Sequence, residues 1–174
     1  GGDAPTATRF QDAVAPLIQF KDGDPGLAAW QDDWEPAIDQ MLSRIQSERT
    51  GPGSEELAFK TGTGGLIAAE FLAQKWALAE GFHEPNTRKA LERGIAAGRL
   101  DPVRGQSLLE AFDSLRRMEL VLRRWSCTPE AVLPHDPGAL DRVAVRCGHA
   151  DRHALLLESQ RARRVIGSLI RQPT

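Results

Sequence analysis

Between positions 65 and 82 the chain is apolar on almost every side of a helical wheel: Leu66, Ile67, Phe71, Leu72, Trp76, Leu78 and Phe82. A helix that is apolar all round belongs at the centre of a bundle. Gly62, Thr63, Gly64 and Gly65 open it, and its polar exceptions Glu70 and Gln74 stand four apart on one face. A second stripe runs through Leu108, Phe112, Leu115, Glu119 and Leu122, with Ala111, Met118 and Trp125 alongside. Asp101 before Pro102 starts this helix as an N-cap followed by proline at the first helical position, and the pattern carries it to about Trp125. Glu119 interrupts its apolar face. Asp136 and Pro137 start another helix by the same device, and Gly148 ends it. Asn86 caps a short helix closed by Gly98, and Leu155, Ala162, Val165, Ile166, Leu169 and Ile170 mark a last helix over roughly 151–171.

Upstream, Leu27, Trp30, Trp34, Ile38, Met41 and Ile45 recur at steps of three and four, which predicts one helix kinked or restarted at Pro36. Residues 50–54 read as a loop and residues 22–26 as a turn. Phe10, Val14, Leu17 and Ile18 suggest a short helix disturbed by Pro16. No segment alternates in the manner of a strand. The pattern predicts an all-α fold, an up-and-down bundle of six to seven helices over residues 36–174. Residues 1–35 form an N-terminal helical extension with no assigned role.

Composition narrows this further. The length of 174 residues suits one domain. With 22 Lys and Arg against 24 Asp and Glu, the net charge of -2 gives no general case for nucleic acid. No apolar run approaches the roughly 20 residues of a membrane span, and no secretory leader pattern appears. The opening Gly1-Gly2 reads as a non-native addition, so the native chain is expected to continue upstream. Two cysteines, Cys127 and Cys147, make no disulfide framework, and reduced thiols in the cytoplasm are expected. Charge is uneven: residues 1–50 are acidic, while Arg116, Arg117, Arg123, Arg124, Arg161, Arg163 and Arg164 crowd the later helices.

Four groups of residues bear chemistry. Lys60 with Gly62, Gly64 and Gly65 would suit an anion, because glycines before a helix expose N–H groups at the positive end of its dipole. The same residues also suit a tight turn that lets the central helix enter the bundle closely, and they are no Walker A loop. Glu70 and Glu119 fall on faces that should be buried, where a carboxylate needs a partner. Arg116, Arg117 and Arg123 are close in sequence, so a structural ion-pair network of Glu70, Arg116, Arg117 and Glu119 is favoured over acid–base chemistry. Cys147, His149, Asp151 and His153 fall short of a zinc set, because no matching pair exists elsewhere, and no metal is expected. The arginine run lacks the interleaved aromatics of a single-strand binder. No Gly-x-Ser-x-Gly elbow is present.

The residues Lys60, Gly62, Gly64, Gly65, Leu66, Glu70, Phe71 and Gln74 match the pattern K-x-G-x-G-G-[IL]-x-[DE]-I-E-F-x-x-Q. Glu110, Leu115, Arg116, Arg117 and Glu119 follow in the manner of EAYxFLRRxEH, and then come Leu133, Pro134 and an arginine-containing helix. In this the chain, over roughly residues 36–171, resembles the glutamine synthetase adenylyltransferases and their PII uridylyltransferase-like relatives. It departs at Ala68, Ala69 and Leu120, where the patterns carry an acidic residue, a larger hydrophobic residue, and His or Asn. The family's catalytic Gly-Ser-x-x-Asp-x-Asp motif, whose aspartates hold magnesium for ATP, is represented only by the first two letters at Gly53 and Ser54. The resemblance therefore implies the helical module that follows the catalytic domain, with no catalytic residue and no cofactor of its own. ATP and magnesium would belong to the neighbouring domain. The implied partners are that domain and, through the family, glutamine synthetase or the PII protein, with neither nucleic acid nor membrane. Lys60 and the glycine turn would face the neighbouring domain.

Overall fold

The computed structural model describes residues 3–18, 33–127 and 130–170. Within them lie seven α-helices: α1 (Ala4–Val14), α2 (Trp34–Arg49), α3 (Leu66–Glu80), α4 (Thr87–Ala96), α5 (Pro102–Ser126), α6 (Pro137–Cys147) and α7 (Arg152–Ile170). A short 3-10 helix, Ala15–Ile18, continues α1 across Pro16. The fold is all-α, and no strand occurs among the described residues.

The starts obey the predicted chemistry. Asp101 accepts from the backbone N–H groups of Val103 and Arg104, Asp136 from Ala139, and Asn86 from Lys89. Each removes an orphan donor of a first turn. Gly148 ends α6 in the left-handed region at φ 89°. Helix α2 starts at Trp34, which fits a start at Pro36 rather than a kink within a helix. Pro36 sits in the first turn of α2, where its missing N–H has no intrahelical partner to lose. Leu27, Trp30 and the turn at 22–26 lie outside the described residues.

Consecutive helices from α2 to α7 pack beside one another, and a long loop carries the chain from α2 to α3. The longest helix, α5, runs against α7 along its length and also touches α3, α4 and α6. Phe59, Leu66, Leu91, Leu108, Leu115, Met118, Leu133, Leu155 and Ile166 have 0–1% of their surface exposed and form the centre of one core. Close packing of such side chains is the main favourable term in the fold. Helix α1 contributes no buried residue, and Phe10 is exposed. Two expected core positions face outward: Met41 on α2, and Trp125 at the end of α5.

Candidate functional site

The loop that leads into α3 is held from three sides. Backbone bonds tie Lys60 N–H to Ala131 O at 3.2 Å and Leu133 N–H to Leu57 O at 2.8 Å. The α3 start is closed by the loop itself: Leu66 N–H donates to Phe59 O at 3.0 Å, and Ile67 N–H to Lys60 O at 3.1 Å. These donors, which a helix start offers to an anion, already have carbonyl partners. From α7, the half-buried Arg163 donates through Nη1 to Glu55 O at 2.7 Å and Glu56 O at 3.1 Å, and through Nε to Thr63 O at 3.2 Å. Burial lowers the pKa of its guanidinium.

The glycines follow from this crowding. Gly64 has φ +68°, and a Cβ there would lie 2.0 Å from Arg163 O. A Cβ on Gly62 would meet Ala58 O at 2.5 Å, and one on Gly65 would meet Lys60 O at 2.6 Å. Only glycine lets the loop lie this close to α7 with a left-handed backbone.

Beneath the loop lies the polar centre of the bundle. Lys60 Nζ donates to Glu119 Oε1 at 2.6 Å, and Arg116 donates to Glu119 Oε2. Glu119 is only 4% exposed, so both of its oxygens are satisfied inside the protein. Burial pushes its carboxyl up, but the Lys60 hydrogen bond and the charges of Lys60, Arg116 and Arg123 outweigh burial and hold it below the usual value. Glu70, half-buried on α3, sits in the same field without a hydrogen bond or ion pair among the described residues. Burial raises its pKa and the Glu119 charge adds to this, against opposition from Lys60 and Arg116.

The structure therefore brings together Lys60, Glu70, Arg116 and Glu119, and leaves Arg117 out. Arg117 lies one position round α5 and donates to the backbone carbonyl of Cys147 at 3.4 Å, near the end of α6. Gln74 is exposed, away from this centre. Ala68 and Ala69 are buried core residues, while Leu120 is 49% exposed. Among the described residues no group of three or more His, Cys, Asp or Glu side chains is placed to hold a metal ion. Asp151 caps the start of α7 by accepting from Ala154 N–H at 2.9 Å, and His153 is exposed. Burial pushes the Cys147 thiol up.

Two anchoring residues carried no clear signal in the sequence. Arg163 is one of several arginines, and its carbonyl partners lie about a hundred positions upstream. Lys75 is a lone cation in the apolar helix α3, 9% exposed, and it grips both oxygens of Asp39 on α2 at 3.0 and 3.1 Å. Its isolation among apolar neighbours was the available clue.

Comparison with known proteins shows the family of the chain. A family model described as GlnD PII-uridylyltransferase matches residues 34–172. A bifunctional glutamine synthetase adenylyltransferase/adenylyl-removing enzyme of Xanthomonas axonopodis pv. citri (strain 306) is 40% identical over 111 residues, covering 60% of this chain and 12% of the relative. The enzyme of the same name from Stenotrophomonas maltophilia (strain K279a) is 37% identical over 120 residues, covering 64% and 13%. That of Bradyrhizobium diazoefficiens (strain JCM 10833 / BCRC 13528 / IAM 13628 / NBRC 14792 / USDA 110) is 29% identical over 158 residues, covering 88% and 15%. The chain thus spans 12–15% of the length of these relatives. With the match running from the start of α2 to beyond α7, the chain belongs to the GlnD PII-uridylyltransferase family.

Proposed function

We propose that this chain is a non-catalytic helical domain of an adenylyltransferase-like protein, which supports nucleotidyl transfer from ATP to glutamine synthetase in nitrogen regulation. One observation carries the reading: Lys60 of the first motif and Glu119 of the second are spent on each other at 2.6 Å beneath the glycine loop. Groups committed in this way brace the bundle and hold the loop in shape. The chemistry, with ATP and magnesium, belongs to a separate catalytic domain that this one supports. In this reading the adjacent catalytic domain is the direct partner, and glutamine synthetase or the PII protein is reached through it. No helix among the described residues is long and apolar enough to cross a membrane, and the cytoplasm is the proposed location.

Titration calorimetry of the chain with ATP and magnesium tests the proposal. No heat of binding is expected at micromolar nucleotide, and a micromolar dissociation constant would overturn the supporting role. A second reading, a free-standing interaction module descended from the family, is favoured by Leu120. This exposed apolar side chain stands where the motif carries His or Asn. A Gly-Ser-x-x-Asp-x-Asp domain encoded upstream in the same gene favours the first reading, and its absence favours the second.

A further inference from the structure

The seam where α5 meets α6 carries four arginines, none of which forms an ion pair with a carboxylate among the described residues. Arg117 and Arg124 lie seven positions apart on the exposed strip of α5, about 10 Å along its axis. Arg142 and Arg146 lie one turn apart on α6, and both are exposed. Two contacts bring the strips side by side. Arg117 donates to the Cys147 carbonyl, and the Arg142 guanidinium lies 5.8 Å from the centre of the Trp125 ring. Arg146 donates to the Arg142 carbonyl at 3.1 Å. The aspartates of these two helices are engaged elsewhere: Asp113 with Arg88, and Asp141 with Arg152. Two apolar side chains beside them are exposed: Leu120 at 49%, three positions after Arg117 and four before Arg124, and Trp125 at 42%, which lies near Arg142 and about 140° further round α5.

Folding alone does not account for this grouping. Arg124 and Arg146 fall in the last turns of their helices, where a cation complements the dipole. Arg142 does not, and four like charges along one seam repel one another. Arginine and tryptophan beside an exposed aliphatic side chain is the composition of an interface centre. The missing partner must supply negative charge and an apolar anchor together. A nucleic acid fits poorly, because Leu120 offers a phosphodiester nothing and the net charge of -2 attracts no polyanion at long range. Carboxylates on a peptide fit both needs, since arginine engages them bidentately.

We propose that the α5–α6 seam docks an acidic, amphipathic segment of a partner protein, its carboxylates on Arg117, Arg124, Arg142 and Arg146 and its apolar side chain against Leu120. The seam occupies a different face of α5 from Glu119, so the inference stands whichever way the ATP titration falls. The test uses the whole chain and a short fluorescent helical peptide of Glu and Leu, with a matched Lys and Leu peptide and a single-stranded oligonucleotide as controls. Saturable binding of the acidic peptide is expected, weakening as salt is added. Arg124→Glu with Arg142→Glu should weaken it about tenfold or more, and Leu120→Ser should weaken it several-fold. The neutral pair Arg124→Gln with Arg142→Gln should also weaken it, which keeps the test decisive if charge reversal disturbs folding. Absence of binding, equal binding by the arginine variants, or tighter binding of the Lys peptide or the oligonucleotide would overturn the proposal.

Discussion

Glu119 shows how one side chain couples two halves of the bundle. It lies on the core face of α5 and meets a lysine from a loop 59 positions earlier. An ion pair this enclosed gains little over a well-packed apolar pair, but losing one partner leaves a stranded charge. Glu119→Gln keeps the shape and removes the charge. It should lower stability by about 1–3 kcal/mol, read from the midpoint of urea unfolding. The pH dependence separates the two glutamates. Glu119 has its folded pKa held down, so its contribution is complete above the unfolded carboxylate range and is lost as pH falls through that range and below. Glu70 has its folded pKa raised, so it favours folding below the unfolded range and loses that contribution as pH rises through its folded value. Unfolding curves of Glu70→Gln from pH 4 to pH 7 should therefore lack a decline in stability that the unaltered chain shows over the weakly acidic range. An unchanged profile would mean that the Glu70 carboxyl is not perturbed.

At the scale of elements, the glycine loop and α7 form one unit. Gly64→Ala would drive a methyl into the α7 backbone at Arg163 and should destabilise by about 3 kcal/mol or more in thermal unfolding. Gly98→Ala is the control. Its φ is also positive, +85°, but nothing lies within 4 Å, so only backbone strain of about 1–2 kcal/mol is expected. Equal losses at the two positions would deny the close packing of loop on α7. Arg163→Met removes the donors to Glu55, Glu56 and Thr63. Hydrogen exchange should then quicken at Gly62, Gly65 and Leu66 while α4 stays protected. The helices were legible in the sequence because their starts are chemical: Asp101 and Asp136 before proline, and Asn86 as a cap. The apolar stripe of α5 likewise gave its buried face, Glu119 included. The partner of Glu119 was not legible, because Lys60 lies far off in sequence and its glycine neighbours also suit an anion. Arg117 misled for a geometric reason, since adjacent residues on a helix point about 100° apart. Arg116 therefore reaches Glu119, and Arg117 turns toward α6.

Across the whole molecule, buried and half-buried cations are distributed as fasteners. Lys60 ties the loop to α5, Arg163 ties α7 to the loop, and Lys75 ties α3 to α2. The family match covers all of these elements, from α2 to α7. In this account Lys60 and Glu119 join the central helices, and the contact proposed for another protein falls to an outer face, the α5–α6 seam. The most direct test is a double-mutant cycle on unfolding free energy with Lys60→Met, Glu119→Gln and the pair together. The account predicts that the two single losses exceed half the damage each, so that the double variant is less destabilised than their sum by about 1–3 kcal/mol. Losses that simply add would show that Lys60 and Glu119 do not hold each other, and would contradict the reading of these residues as an internal brace.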